Sequence, residues 1–402
     1  MYIFVGLLYS ELRRKQIINE VKTSLESAAN AYQWGLLLGL KKVTNEKIKI
    51  INSVPMGTFP GQSKIFREKS SLEKDNEFEI DNIGYLNLPF IKQNQRTSGL
   101  YARLKKIIEN EKEEITVILY SLYHPYLKAL DKLKKRYSNF QYFVIVPDLP
   151  CEYGIEVNNK VKRAFNRKVG YEALDFAKNA DGYVFLTEKM NEVVNKTGRP
   201  YQIIEGIAKE GTRIDKSARW EKPVILYTGN LNRVFGIETL LDAYFKLPED
   251  FAELWIAGAG DMQEELEELS KKNKNVKYFG YCAQEEILKM QGQAWILVNP
   301  RSGRDEYAKY SFPSKTMEYL ASGKPVAMNR LPGIPQEYNE HIFFFKEETA
   351  ESMAETFQEI LALPKNELNE RKEKQLRFII EQKCGAVQAQ KIIKLRNDCL
   401  KR

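Results

Sequence analysis

The sequence predicts an α/β protein built from two doubly wound, Rossmann-like domains that face each other. Three observations carry this. Short apolar runs rich in β-branched and aromatic residues recur along the chain and end in turn signals, the pattern of parallel strands buried on both faces. Helical patterns separate most of them. The alternation also restarts near Lys222, after the polar and weakly periodic stretch GIAKEGTRIDKSARWEK. A chain of 402 residues is longer than one hydrophobic core normally serves, so two domains are the expected solution.

In the first half, strands are expected at Tyr2–Leu8, Ile48–Val54, Ile115–Tyr120, Tyr142–Val146, Gly182–Leu186 and Gln202–Ile204. In the second half they are expected at Val224–Tyr227, Ala252–Ala257, Val276–Phe279, Ala294–Val298, Pro325–Met328 and His341–Phe345. Helices are expected between them at Ala102–Glu113, Ile237–Phe245, Met262–Lys271 and Lys315–Ala321. The stretch before Lys222 reads as a linker, which places the domains at 1–207 and 208–375. The last segment, 376–402, is charged and helical without a further strand. In open α/β sheets ligands bind beyond the carboxyl ends of the strands, so the loops there are where chemistry is sought.

Composition narrows the class. With 43% hydrophobic, 29% charged and 11% aromatic residues, the chain is of the globular type, neither disordered nor fibrous. No apolar run reaches the roughly 18–20 residues that span a bilayer. The opening MYIFVGLLY runs directly into Glu11, Arg13, Arg14 and Lys15; it reads as a first strand rather than a signal peptide, and a cytoplasmic location is expected. Cys151, Cys282, Cys384 and Cys399 are scattered and support neither a disulfide framework nor a zinc site.

The net charge is +8, and all of the excess lies in residues 1–207. A basic first domain suits an anionic partner such as a membrane surface or a lipid phosphate, or is a solvated surface. Lys128, Lys132, Lys134, Lys135 and Arg136 form a basic run that on a helix would face anionic headgroups or water. No aromatic residues interleave with the charge in a recognisable motif, which disfavours nucleic acid.

The most informative stretch is NPRSGRDEYAKYSFPSKTMEYLASGKPV, Asn299 to Val326. A strand ends, a basic loop follows, and Phe312-Pro313-Ser314 opens a helix that Gly323-Lys324-Pro325 closes. Ser314 is a candidate cap for the free amides of the first turn. A helix N-terminus opposite a strand end favours phosphate through its free N–H groups and dipole. Arg301, Arg304, Lys309 and Lys315 bring positive charge to the same loop. Glu318 lies four residues after Ser314, about one turn below, where a carboxylate can accept two hydrogen bonds from a ribose diol.

This stretch resembles the donor-binding signature of the family 4 glycosyltransferases, which have the GT-B fold and retain anomeric configuration. Three further pieces agree in order: YTGNLNRVFGIETLLDAY, LWIAGAGDMQEEL and VKYFGYCAQEEI. The resemblance is specific over about residues 222–346 and weaker before that. It implies that Glu318 is the second glutamate of the family's E-x7-E motif, binding the donor ribose, while Tyr310 stands where the first glutamate belongs. It also implies that Gly229 and Asn230 approach the diphosphate. The family's usual basic positions are held here by Asn230 and Phe235, which turns phosphate neutralisation over to Arg233, Arg301, Lys309 and Lys315. Gly280 and Tyr281 fall where the base is seated, and Tyr281 either stacks on it or belongs to the core. The tail is expected to cross back onto the first domain, as in similar enzymes. Gly258-Ala259-Gly260 lacks the third glycine of a dinucleotide motif.

Of the two histidines, His124 follows a strand end in YSLYHPYLKAL; similar enzymes carry a histidine in a comparable loop near the transferred sugar. It is either that donor to a sugar hydroxyl or a structural histidine, whereas His341 opens a hydrophobic strand. Asp148 follows the strand ending at Val146 and either contacts the acceptor or caps a turn. SLESAANAYQWGLLLGL stands in place of the family's glycine-rich loop, with Asn30 as an acceptor contact. The resemblance thus implies retaining transfer from a nucleoside-diphosphate sugar, with UDP favoured, to a saccharide or lipid-linked acceptor in surface-polysaccharide assembly. No metal or other cofactor is expected. The alternative is a catalytically weak sugar-nucleotide-binding subunit, which Tyr310 favours.

Overall fold

A computed structural model describes residues 1–20, 27–60, 63, 65–149, 160–209 and 221–401. The chain divides into two compact units, Met1–Ile207 with Gly385–Arg402, and Ala208–Cys384.

The first unit runs β1 (Tyr2–Gly6), α1 (Glu11–Glu20), α2 (Ser27–Val43), β2 (Ile48–Asn52), β3 (Arg67–Glu68), β4 (Ser71–Asp75), β5 (Phe78–Asn82), β6 (Tyr85–Leu86) and α3 (Ile91–Asn110). It continues with β7 (Ile115–Tyr120), α4 (His124–Lys134), β8 (Phe140–Val146), α5 (Lys160–Ala177), β9 (Gly182–Phe185), α6 (Glu188–Val194) and β10 (Tyr201–Ile203). Its main sheet has the order β10-β9-β8-β7-β1-β2-β5-β4. Every strand expected in this half is present. The central ones are apolar along their whole length because helices cover both faces: all of β1, β7 and β8 is buried.

The hairpin β4–β5 escapes the sequence pattern. Its strands pair antiparallel, Asp75 opposite Phe78, and the turn residues Asn76 and Glu77 adopt positive φ. At the sheet edge β4 alternates between half-buried and exposed residues, so SLEKD carries charge where a central strand carries valine. The stretch that stands in place of the family's glycine-rich loop folds, from Ser27 on, as the helix α2, with Leu36, Leu37 and Leu40 buried. Gly39 lets the C-terminal helix Gly385–Leu400 press against it: a Cβ there would lie 1.9 Å from the Gly385 carbonyl oxygen.

The second unit runs β11 (Val224–Asn230), α7 (Ile237–Phe245), β12 (Glu253–Ala259), α8 (Gln263–Lys272), β13 (Val276–Tyr278), α9 (Gln284–Gln293) and β14 (Ile296–Asn299). Then follow α10 (Ser314–Ala321), β15 (Val326–Met328), β16 (Phe343–Phe344), α11 (Ala350–Ala362) and α12 (Lys365–Gln382). The tail expected as one segment from 376 is therefore two helices, because α12 stays with the second unit and packs on α10 through Gln375, whose Nε2 donates to the Leu320 carbonyl at 2.8 Å. The chain leaves this unit after Cys384; the preceding Lys383 carbonyl accepts from the Ala208 amide at 2.9 Å.

All pairings in the second sheet are parallel, in the order β13-β12-β11-β14-β15-β16. The order reverses between β11 and β14, and a crevice opens beyond their carboxyl ends at such a switch point. The core beneath is formed by Ile225, Leu254, Ile256, Ile296 and Val298 from the strands and by Leu240, Leu266, Met353 and Phe357 from the helices. Each such side chain contributes about 1.5–3 kcal/mol by leaving water. Among the described residues, no helix is long and apolar enough to cross a membrane.

Candidate functional site

The loops after β11 and β14 meet at the switch point through close backbone packing. Gly236, at φ +81°, allows the first loop to touch the second; a Cβ there would lie 2.3 Å from the Pro300 carbonyl oxygen. Buried Asn329 fixes the second loop from below, its Nδ2 donating to the Pro300 and Arg301 carbonyls at 2.9 and 3.1 Å. Tyr319 ties α10 to the end of β11: its buried hydroxyl accepts from the Thr228 amide at 3.0 Å and donates to the Thr228 carbonyl at 3.2 Å. The N-terminus of α10 is thereby held against the strand ends. Ser314 is its first helical residue and exposed, with Pro313 in the capping position and no side-chain cap bond. Ser314 therefore does not cap the helix as expected, because the ring of Pro313 occupies the position from which a hydroxyl would reach the first-turn amides.

Glu318 projects one turn below that end. Its carboxylate accepts from Gln291 Nε2 at 2.5 Å, Lys315 Nζ at 2.9 Å and Gln284 Nε2 at 3.1 Å. Burial alone would push its carboxyl upward, but Lys315 and the two amides outweigh that and hold it below the ordinary carboxylate value. Its side chain keeps 23% exposure, so a fixed carboxylate still presents an open edge. Gln284 and Gln291 escape sequence reasoning, since α9 carries them from a distant segment and nothing in QEEILKMQGQ marks them.

The four cations expected at the phosphate differ sharply in their surroundings. Arg233 forms ion pairs with both Glu238 and Glu265. Lys309 pairs with Glu306 at 2.7 Å and Lys315 with Glu318 at 2.9 Å. Arg301 has no carboxylate partner among the described residues. Its guanidinium lies 4.6 Å from the Tyr307 ring centre and 5.8 Å from that of Phe235, Nη2 donates to Ser311 Oγ at 2.9 Å, and Nε is buried without a partner among the described residues. Phe235, at a position where the resemblance led to the expectation of a basic residue, thus supplies an aromatic face to an arginine from the neighbouring loop.

The remaining expected contacts are distributed as follows. Gly229 is the penultimate residue of β11, and Asn230, its last, turns its Oδ1 to the Asn232 amide at 2.9 Å. Gly280, with φ +66° and open space around it, follows β13. Tyr281 is 77% exposed, so it is no core tyrosine; the exposure follows from its place in the turn after β13. Tyr310 is half-buried at the end of the short 3₁₀ turn Glu306–Tyr310.

In the first unit, His124 is the first residue of α4, and its Nε2 lies 3.0 Å from Glu172 Oε2 on α5. Asn30 is buried on α2 and accepts from the Tyr9 amide at 2.9 Å. Asp148 is exposed beyond β8. In the basic run, Lys134 pairs with Asp181 and Lys135 with Asp131, both at 2.8 Å, so these two charges are neutralised locally. Among the described residues no three His, Cys, Asp or Glu side chains gather as metal ligands would. Cys151 lies outside the described residues.

Comparison with known proteins places this arrangement. Residues 209–377 match the family described as Glycosyl transferases group 1. A curated relative, the uncharacterized glycosyltransferase MJ1607 of Methanocaldococcus jannaschii, is 30% identical over 118 residues, 28% of this chain and 29% of that protein. The match thus spans under a third of the relative's length. Two similar solved structures are sucrose-phosphate synthase from Thermosynechococcus elongatus (16% identity, 98% of each chain covered, TM-score 0.61) and Anabaena Alr3699/HepE in complex with UDP (11%, 99% of each chain, 0.59). At such identities the likeness establishes the fold. The fold is GT-B. The family match lies within the unit that carries Glu318 and Arg301.

Proposed function

We propose that this chain is a glycosyltransferase that takes a sugar from a nucleoside-diphosphate donor, with UDP favoured, and retains its anomeric configuration. The observation that carries the donor reading is a fixed, partly open carboxylate, Glu318, on α10, together with Arg301 in the loop that leads into α10, a cation with no carboxylate partner among the described residues. Glu318 accepts the ribose hydroxyls, and the α10 amides with Arg301 receive the diphosphate. The stranded Nε of Arg301 is a buried donor of the kind that calls for an acceptor, and a guanidinium fork fits phosphate oxygens. Arg233 and Lys309 already have carboxylates, and Lys315 neutralises Glu318, so they are secondary.

The chemistry rests on position and charge. Departure of the nucleoside diphosphate places negative charge on the phosphate oxygen that leaves the sugar. Preorganised N–H donors and a guanidinium stabilise that charge with little reorganisation, without a metal or other cofactor. His124 is proposed to hydrogen-bond the transferred sugar, and Asn30 and Asp148 to lie near the acceptor. The acceptor is a saccharide or a lipid-linked oligosaccharide of a surface polysaccharide. The excess positive charge of residues 1–207 favours work at an anionic membrane face on the cytoplasmic side, which sedimentation with anionic vesicles tests.

Calorimetric titration with a panel of nucleoside diphosphates tests the donor reading. One nucleotide is expected to bind the wild-type protein and to be lost in Glu318→Ala; binding of none overturns the site. Anomeric configuration is read by NMR of the product. Tyr310 at the family's first glutamate position favours a second reading, a sugar-nucleotide-binding subunit with little turnover. Donor binding without transfer or donor hydrolysis would select it.

A further inference from the structure

The first unit buries two cations at the carboxyl end of its sheet. Lys92 and Arg96 are one turn apart on α3 and only 2% and 4% exposed. Lys92 Nζ donates to the Met56 carbonyl, and to Thr58 Oγ1 at 3.3 Å. Arg96 donates from Nη1 to the Tyr123 hydroxyl at 2.8 Å and from Nη2 to the Val54 carbonyl at 2.7 Å, while its Nε is buried without a partner among the described residues. Tyr85 lies beneath both, with its ring centre 5.3 Å from Lys92 Nζ and 4.4 Å from the Arg96 guanidinium.

Each of these acceptors is neutral. Among the described residues no carboxylate forms an ion pair with either cation. Buried charges are normally paired, because desolvation is costly and two like charges repel strongly away from water. Burial, and then the charge of Arg96, lowers Lys92 to about 7. The other titratable groups nearby are Tyr85, Tyr123 and Tyr126, and Glu68, which acts on Tyr85 while paired with Arg13 at 2.9 Å. Burial raises Tyr85 and Tyr126 above the ordinary phenol value, and the Glu68 charge is met by Arg13.

We propose that Lys92 and Arg96 form a binding site for the phosphate group of an anionic acceptor. Calling the ligand an acceptor rests on the transferase reading; the anion site does not. The loop after β2 and the residues before α4 enclose the two cations, at the strand ends where open α/β sheets bind ligands. The cover is thin, since Gly57, Thr58 and Phe59 are half-buried and Pro60 is exposed. A phosphate displaces the Thr58 hydroxyl and the Met56 carbonyl from Lys92 and gives the Arg96 Nε an acceptor. Arginine's fork and lysine's point charge then share its oxygens. Binding draws a proton onto Lys92 wherever that amine is partly neutral.

The test is calorimetry on the full chain with inorganic phosphate as the probe. Titrations of the wild-type protein and of the variant Lys92→Met are made with saturating UDP, which fills the donor site, Arg301 and the α10 amides included. One phosphate is expected to bind per chain, about tenfold or more weakly in Lys92→Met. At pH 8, repetition in buffers of different ionisation enthalpy is expected to show proton uptake. No phosphate binding, or equal binding in Lys92→Met, overturns the proposal. If Lys92→Met does not fold by circular dichroism, Arg96→Lys replaces it, and equal phosphate binding in that variant overturns the site. A soluble hexose phosphate and vesicles containing polyprenyl phosphate then separate the two sources of the group. Phosphate binding without any nucleotide binding sinks the donor reading alone; nucleotide binding without phosphate binding sinks this one alone.

Discussion

Replacing Glu318 by alanine removes the acceptor for three donors, and the structure says what each loss costs. Gln291 is 1% exposed, and its Nε2 would be left without its 2.5 Å partner. A buried donor stranded in this way costs about 1–3 kcal/mol. Gln284 is exposed and Lys315 half-exposed, so water replaces their bonds at little cost. The folded protein should therefore lose about 1–3 kcal/mol, chiefly through Gln291. Donor affinity should fall further. Two bonds from a ribose diol to a carboxylate are worth about 1.5–3 kcal/mol each, and the loss of about 3 kcal/mol weakens binding roughly a hundredfold. Glu318→Gln keeps the shape and an acceptor oxygen for Gln291, so it should separate the effects, with stability nearly kept and UDP affinity reduced. Because the folded carboxyl is held below its ordinary 4.5, its stabilising contribution is complete above that value. The contribution disappears as pH falls through the lower, folded value. Urea denaturation and calorimetry with UDP read the two quantities. UDP affinity unchanged in both variants would refute the assignment of Glu318 to the ribose.

Arg301→Lys should weaken UDP binding about tenfold or more through loss of the guanidinium fork, whereas Arg233→Ala should change it little, because Glu238 and Glu265 already pair with that charge; calorimetry ranks the two, and the reverse order would move the diphosphate toward Arg233. Gly236→Ala combines a left-handed backbone with a Cβ 2.3 Å from the Pro300 carbonyl oxygen, and should cost more than about 2 kcal/mol in urea denaturation. Lys92, with its folded pKa lowered from 10.5 to about 7, makes the unfolded chain hold the extra proton between those values. Stability should thus rise with pH across that window, and Lys92→Met should remove that rise, as denaturation at pH 7 and pH 9 would show. His124→Ala should reduce turnover while leaving UDP affinity intact, and equal turnover would return His124 to a structural pairing with Glu172.

The strands were legible because a strand covered on both faces must be apolar throughout, and YIFVG, ITVILY and VILYTGN announce that locally. The loop–helix stretch around Pro313 and Glu318 was legible for a related reason: a strand end, a proline and a glycine follow one another within a single segment. β4 and β5 were not, since an edge hairpin meets water and its charges resemble those of a loop. Neither was α2, whose small residues admit the C-terminal helix from the other end of the chain.

By itself the sequence determined the fold class, the run of strands and the segment where Glu318 sits. Tertiary structure alone decided which charges are available. Arg301 and Arg233 are alike in sequence, but folding brings Glu238 and Glu265 to one and two aromatic rings to the other. It likewise buries Lys92 and Arg96 where no described carboxylate reaches them. The physical reason is range. Secondary structure follows from neighbours a few residues apart, whereas the state of a charge depends on every group within several ångströms, however distant along the chain.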